Sequence, residues 1–217
     1  MKNRGRNWMI GGAASLAAFA AWTLMVLTVD VRPAGVNGTD VGFAAVNVWF
    51  HRLTGVHMAL YTVTDWLGLV PVSVCLLFAG LGLAQLVKRR SIFKVDADIL
   101  LLGVYYAAVV AAYLAFEMIP VNYRPVLIEG RMEASYPSST TLLVLSVMPT
   151  LAFQTGRRVR RAALRRTSGA LTAAFCAFMV IGRAVCGVHW LTDVVGAVLL
   201  SAGLFFLYRG AASLREK

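Results

Sequence analysis

An all-α, polytopic membrane protein is the fold class that this amino-acid sequence predicts, and three observations carry the prediction. The residues are 59% hydrophobic and 14% charged, with a mean hydropathy of +0.71. The apolar residues gather into six runs, most long enough to cross roughly 30 Å of hydrocarbon as helices. The basic residues collect at alternate ends of those runs. Together they predict a single domain, residues 1–217, of six transmembrane helices.

The first run, Trp8 to Val29, follows Lys2, Arg4 and Arg6. It is longer than the roughly 7 to 15 residues of a signal-peptide core, so it reads as an uncleaved anchor. Residues 30–65 form an outer loop that opens with turn chemistry in RPAGVNGTD. Phe43, Val46, Phe50 and Leu53 then recur at helical spacing and predict an amphipathic helix lying on the membrane surface. His51 and His57, within it, read as interfacial histidines. The second run, Trp66 to Val87, precedes Lys88, Arg89, Arg90 and Lys94. The third spans Ile99 to Ile119, and the fourth, Ser138 to Gln154, precedes a cluster of six arginines between Arg157 and Arg166. The fifth, Ser168 to Ile181, and the sixth, Val188 to Tyr208, close the chain ahead of Arg209, Arg215 and Lys217.

If the spans alternate, those basic groups share one side, which the positive-inside rule makes cytoplasmic, with both termini there. The net charge of +11 is therefore a topology signal and not a nucleic-acid footprint. Cys75, Cys176 and Cys186 are odd in number and fit neither a disulfide framework nor zinc spacing. They read as packing residues, Cys186 as a free thiol near the outer face. No metal-ligand cluster and no cofactor motif is present in the sequence, and nothing in the pattern assigns an oligomeric state.

The outer face is where polar residues concentrate. Glu117, Arg124, Glu129, Arg131, Glu133 and the hydroxyl run Ser138-Ser139-Thr140-Thr141 fall around the segment between spans three and four. Arg183, His189 and Asp193 surround the short turn into the last span. Arginines on this face run against the general charge bias, which points to an anion held there. His189 and Asp193 are four apart, so on a helix the carboxylate can hold one imidazole nitrogen while the other points outward. That arrangement fixes a tautomer and makes a nucleophile, although an interfacial pair at a helix start has the same spacing. The run after Pro137 has three readings: a helix N-cap, small residues for close packing, or a phosphate cradle of amides and hydroxyls.

Tyr123-Arg124-Pro125, the run Pro137-Ser138-Ser139-Thr140, and Arg183 followed by His189 and Asp193 together resemble the three signature blocks of the type 2 phosphatidic acid phosphatase superfamily. Those are six-span membrane lipid phosphatases related to vanadium haloperoxidases. The resemblance implies that His189 attacks phosphorus and carries a phosphohistidine, that Asp193 orients it, and that no metal is needed. It also implies that Arg124, Arg183, Ser138, Ser139 and Thr140 contact the phosphoryl group.

Three positions depart from the family pattern. Thr140 stands where the family has the histidine that protonates the leaving group, Glu117 where it has a lysine, and Gly182 where it has a serine. A threonine hydroxyl is a poor proton donor at neutral pH. The departure favours a leaving group able to depart as an anion, so an isoprenoid diphosphate such as undecaprenyl diphosphate suits the chain better than phosphatidate. Glu117, Glu129 or Glu133 are alternative donors. The expected activity is hydrolysis of a lipid phosphoric ester or anhydride on the extracytoplasmic face of a cell membrane. The alternative is a catalytically impaired relative that binds or transports a lipid phosphate.

Overall fold

The structure, a computed structural model, describes residues 2–214 and is built from helices. They are α1 (Lys2–Thr28), α2 (Ala44–Thr54), α3 (Met58–Leu67), α4 (Leu69–Arg89), α5 (Ala97–Met118), α6 (Ser139–Arg158), α7 (Ala162–Val185) and α8 (Leu191–Leu214). Among the described residues, five segments are long and apolar enough to cross a membrane: Asn3–Thr28, Met58–Arg89, Ala97–Met118, Ala162–Val185 and Leu191–Leu214. The second of these joins α3 and α4 across a break at Gly68. Met58 to Asp65 is therefore helical and continuous with a span-length segment, where the sequence predicts outer loop.

α6 is the segment that falls short on hydropathy, and its surroundings explain why. At 20 residues it is roughly 30 Å long. It sits among its neighbours, burying Leu142, Val144, Val147 and Met148 along with Ser146, Thr150 and Gln154. The last three form an i, i+4 row, met from other helices at the Ser146 carbonyl and at the Thr150 and Gln154 side chains, while Ser146 Oγ has no hydrogen-bond partner among the described residues. Tyr105 Oη donates to the Ser146 carbonyl at 2.8 Å, Tyr106 Oη lies 2.7 Å from Thr150 Oγ1, and Gln154 Nε2 donates to Tyr208 Oη at 2.7 Å. A helix shielded from lipid this way does not need an apolar surface all round. The main core packs α4, α5, α6, α7 and α8 through Phe78, Leu102, Val109, Val147, Met179 and Tyr208. A second cluster, including Phe19, Val26, Tyr136, Leu142 and Leu200, fixes α1 to α8 and to the loop before α6.

α2, with its N-cap at Phe43, covers the run in which Phe43, Val46, Phe50 and Leu53 recur. It buries Ala44 and Asn47, while Val46, Trp49 and Leu53 are exposed. Asn47 Nδ2 donates to Thr192 Oγ1 at 2.9 Å, and the Thr192 backbone N–H donates to Asn47 Oδ1 at 3.2 Å. This pair hangs α2 on the first turn of α8. The C-terminal ends of α1, α5 and α7 meet the N-terminal ends of α3, α6 and α8, and the candidate site lies there.

Candidate active site

Three chain segments converge on the buried His189. The first is the loop from α5 to α6, folded as a short hairpin with bridges Tyr123 to Ala134 and Ile128 to Arg131. Its tip, Glu129-Gly130, has φ of 48° and 75°, the left-handed pair that a tight hairpin turn requires. The Arg124 N–H donates to the Glu133 carbonyl at 3.1 Å, and the Ser135 N–H to the Asn122 carbonyl at 3.0 Å, so the hairpin delivers Asn122, Arg124 and Ser135 together. The second is the turn from α7 to α8. Gly187 there has φ of 74°, and a Cβ on it would meet the Gly55 carbonyl oxygen at 2.0 Å, so glycine is required. The third is α3, whose Tyr61, Thr64 and Asp65 share one helix face.

Asp193, fully buried, organises the centre. Its Oδ2 accepts the Trp190 N–H at 2.8 Å, the back-reaching half of a capping box at the start of α8, and its Oδ1 accepts Asn122 Nδ2 at 3.0 Å. Ser135 Oγ donates to Oδ2 and lies 3.1 Å from His189 Nδ1, whereas Asp193 Oδ2 itself is 3.8 Å from that nitrogen. The carboxylate thus holds the imidazole through a serine bridge. On the other side of the ring, Arg183 Nη2 is 3.0 Å from His189 Nε2. A guanidinium only donates, so Nε2 carries the lone pair and the proton is on Nδ1. Nδ1–H then donates to Ser135 Oγ, whose own proton goes to Asp193. Burial, followed by the charges of Arg183 and Arg124, holds His189 well below the usual histidine range, so the imidazole is neutral. A neutral imidazole with its lone pair beside a guanidinium has the chemistry that a nucleophile toward a bound anion needs.

The two arginines share a platform. The guanidinium carbons of Arg183 and Arg124 lie 4.9 Å and 5.7 Å from the centre of the Tyr61 ring. Among the described residues, Arg124 Nε and Nη1 and Arg183 Nε are buried without a hydrogen-bond partner. Glu133 approaches Arg124 Nε at 3.2 Å as an ion pair, without the alignment of a hydrogen bond. Each buried donor left unmade costs about 1–3 kcal/mol, which an anion spanning the two guanidinium groups would recover.

Of the residues predicted from sequence, His189, Asp193, Arg124, Arg183 and Glu133 meet here. Ser139 and Thr140 line an adjoining cleft of about 270 Å³ with Asp65, Val110, Tyr113 and Leu143. Ser138 is buried, with Oγ 3.0 Å from Thr141 Oγ1 and its N–H donating to the Asp193 carbonyl at 3.1 Å. It joins α6 to α8, and its side chain makes no cap bond to the backbone. Glu117 is exposed and lines a separate crevice with Pro137 and Ser139, and Glu129 is exposed at the hairpin tip. At Gly182, a Cβ would meet Thr64 Cγ2 at 2.8 Å, while Thr64 Oγ1 lies 3.4 Å from Arg183 Nη1. The glycine therefore makes room for a threonine that contacts the arginine.

Residues 99–215, more than half of the chain, match the PAP2 superfamily. The chain belongs to the PAP2 superfamily. No curated protein matches it in sequence. The fold is similar to the crystal structure of the first transmembrane PAP2 type phosphatidylglycerolphosphate phosphatase from Bacillus subtilis. The TM-score is 0.62 at 17% identity, covering 95% of this chain and 98% of that one. The matched region of this PAP2 member holds the hairpin, α6 and the turn carrying His189. Tyr61, Thr64 and Asp65 come from outside it. These three, with Asn122 and Ser135, are the site residues that sequence reasoning missed. The only trace of Asp65 in the sequence is an acid at the edge of an apolar run, and Ser135 reads as one more polar loop residue.

Proposed function

We propose that this protein is a phosphatase of membrane lipid phosphates and diphosphates, acting through a phosphohistidine on His189. The observation that carries the reading is the neutral His189 with its Nε2 lone pair facing Arg183, beside buried guanidinium N–H groups that have no hydrogen-bond partner among the described residues. A phosphoryl group takes over the Arg183 hydrogen bond now made to Nε2, bridges Arg183 and Arg124, and meets the freed lone pair. Attack forms the P–N bond as the P–O bond to the leaving group breaks. Ser135 and Asp193 hold the Nδ1 proton and stabilise the positive charge that builds on the ring. Water then cleaves the P–N bond and releases phosphate.

In this reading α6 is a sixth span, both termini are cytoplasmic by the distribution of Lys and Arg, and the site opens on the extracytoplasmic face of the cell membrane. The cleft beside Thr140, with Val110 and Tyr113 exposed at its wall, suits a lipid whose tail stays in the bilayer. Thr140 supplies no imidazolium, so a leaving phosphate is favoured over a leaving alcohol, and an isoprenoid diphosphate over phosphatidate.

Purified protein in detergent, given a long-chain isoprenoid diphosphate or phosphatidate beside a His189→Ala control, tests the reading. Phosphate release that vanishes in the control supports it. No release from folded protein would leave a lipid-phosphate binder instead, and a clear preference for phosphatidate would overturn the leaving-group argument.

A further inference from the structure

The position that protonates the leaving group in this family is Thr140 here, and the geometry points to Asp65 as the group that performs the task. This rests on the phosphatase reading above and concerns its slower substrates, those whose leaving group is an alkoxide and still needs a proton. Asp65 comes from α3, and its Oδ1 lies 3.8 Å from Arg183 Nη1. It also lines the same cleft as Ser139 and Thr140. Among the described residues it is the carboxyl that both touches a site arginine and faces that cleft.

The arrangement around Arg183 gives the carboxyl its role. Nη2 of the guanidinium faces His189 Nε2, and Nη1 faces Asp65. A phosphoryl group held on this guanidinium has the nucleophile beside Nη2 and a carboxyl beside Nη1. The other acids are committed or elsewhere. Glu133 is paired with Arg124, Glu117 lines a different crevice, and Glu129 is at the hairpin tip. His51 and His57 face the carbonyls of Gly187 and Thr54.

The step balances. Asp65, a carboxylate beside Arg183, takes the proton of the phosphate monoanion as the substrate binds. As Nε2 bonds to phosphorus, the departing lipid oxygen receives that proton and leaves as an alcohol. The carboxylate then takes a proton from the water that attacks the phosphohistidine, the P–N bond breaks, and the proton passes to the released phosphate.

Asp65 also contacts Arg183, so a merely supporting role must be distinguishable, and leaving-group dependence does so. Wild type, Asp65→Asn and Glu117→Gln are compared on phosphatidate, whose alkoxide needs a proton, and on p-nitrophenyl phosphate, whose phenolate does not. Thermal unfolding in the same detergent follows folding. Expected is a loss of about 10²- to 10⁴-fold in kcat on phosphatidate for Asp65→Asn, with less than about tenfold on the aryl phosphate. Glu117→Gln is expected to change the two substrates alike. An equal loss on both substrates in folded Asp65→Asn would assign Asp65 to holding Arg183 and overturn the inference, as would no loss on either. A split caused by Glu117→Gln instead would transfer the role to Glu117. A wild type inactive on both would overturn the phosphatase reading itself.

Discussion

At the basic end of the bundle, Arg89 meets Asp96 at 2.7 Å, and Arg158 meets Asp98 at 2.7 Å and Asp96 at 3.3 Å. Gln85 and Asp96 exchange two further hydrogen bonds of 2.9 Å, and this cluster holds the Asp96 carboxyl below the usual range, with Arg89 the main cause. At the opposite end, Arg124 and Arg183 are buried with donors unmade, and their carboxylate neighbours stand off at the rim, Asp65 with 57% of its side chain exposed and Glu133 with 38%. The same residue types thus do different work. Where carboxylates meet guanidinium groups at full hydrogen-bond geometry near solvent, the charges close on each other and pin three helices, α4, α5 and α6. Where burial is deep and the pairing is loose, cationic capacity is left over for an incoming anion.

The comparison is broken most completely by His189→Ala. In the proposed reading it removes the nucleophile that the leftover cations serve, and phosphate release should fall by at least about 10⁴-fold with folding intact. Ser135→Ala removes the bridge while leaving Asp193 bonded to Trp190 and Asn122. Turnover should drop by about 10²-fold with little change in KM, and the proton distribution on His189, followed by nitrogen NMR of labelled histidine, should lose its fixed Nδ1–H form. If Ser135→Ala retained both the rate and the tautomer, Asp193 would be acting on the ring without it.

A third effect is on stability. The folded state disfavours protonated His189, so the unfolded chain binds that proton more readily. The contribution is complete above the ordinary histidine value of 6.5 and is lost as pH falls toward the lower folded value. Melting temperature in detergent should fall between pH 7 and 5, and His189→Asn should show a shallower slope. The smallest effect belongs to the paired end. Asp98→Asn should cost about 0.2–1 kcal/mol and leave turnover unchanged, because the pair it breaks lies far from the site and is partly solvated.

Much of this contrast is legible in the sequence, and the reason is physical. Runs of Leu, Val and Ala long enough to span hydrocarbon have few alternatives to helix, and Arg183, His189 and Asp193 lie close enough in the chain for local geometry to bring them together. Legibility fails where tertiary contact overrides local pattern. Thr150 and Gln154 lower the hydropathy of α6, yet Tyr106 and Tyr208 compensate from other helices. Tyr61 and Asp65 are more than a hundred residues from Arg183, and no periodicity links them. Ser138 and Ser135 exchange apparent importance, since burial against α8 takes the first out of the cleft and carries the second to His189.

The polar row of α6 also bears on how the chain enters its membrane. Alone, that helix offers lipid a line of hydroxyl and amide groups and partitions poorly. Two of its partners lie on α5, already made when α6 emerges, but Tyr208 and the Asp193 carbonyl that receives Ser138 lie on α8, synthesised after it. α6 is therefore an unfinished passenger until the C-terminal helix arrives, and a chain truncated ahead of Leu191 would lose one helix and unseat another.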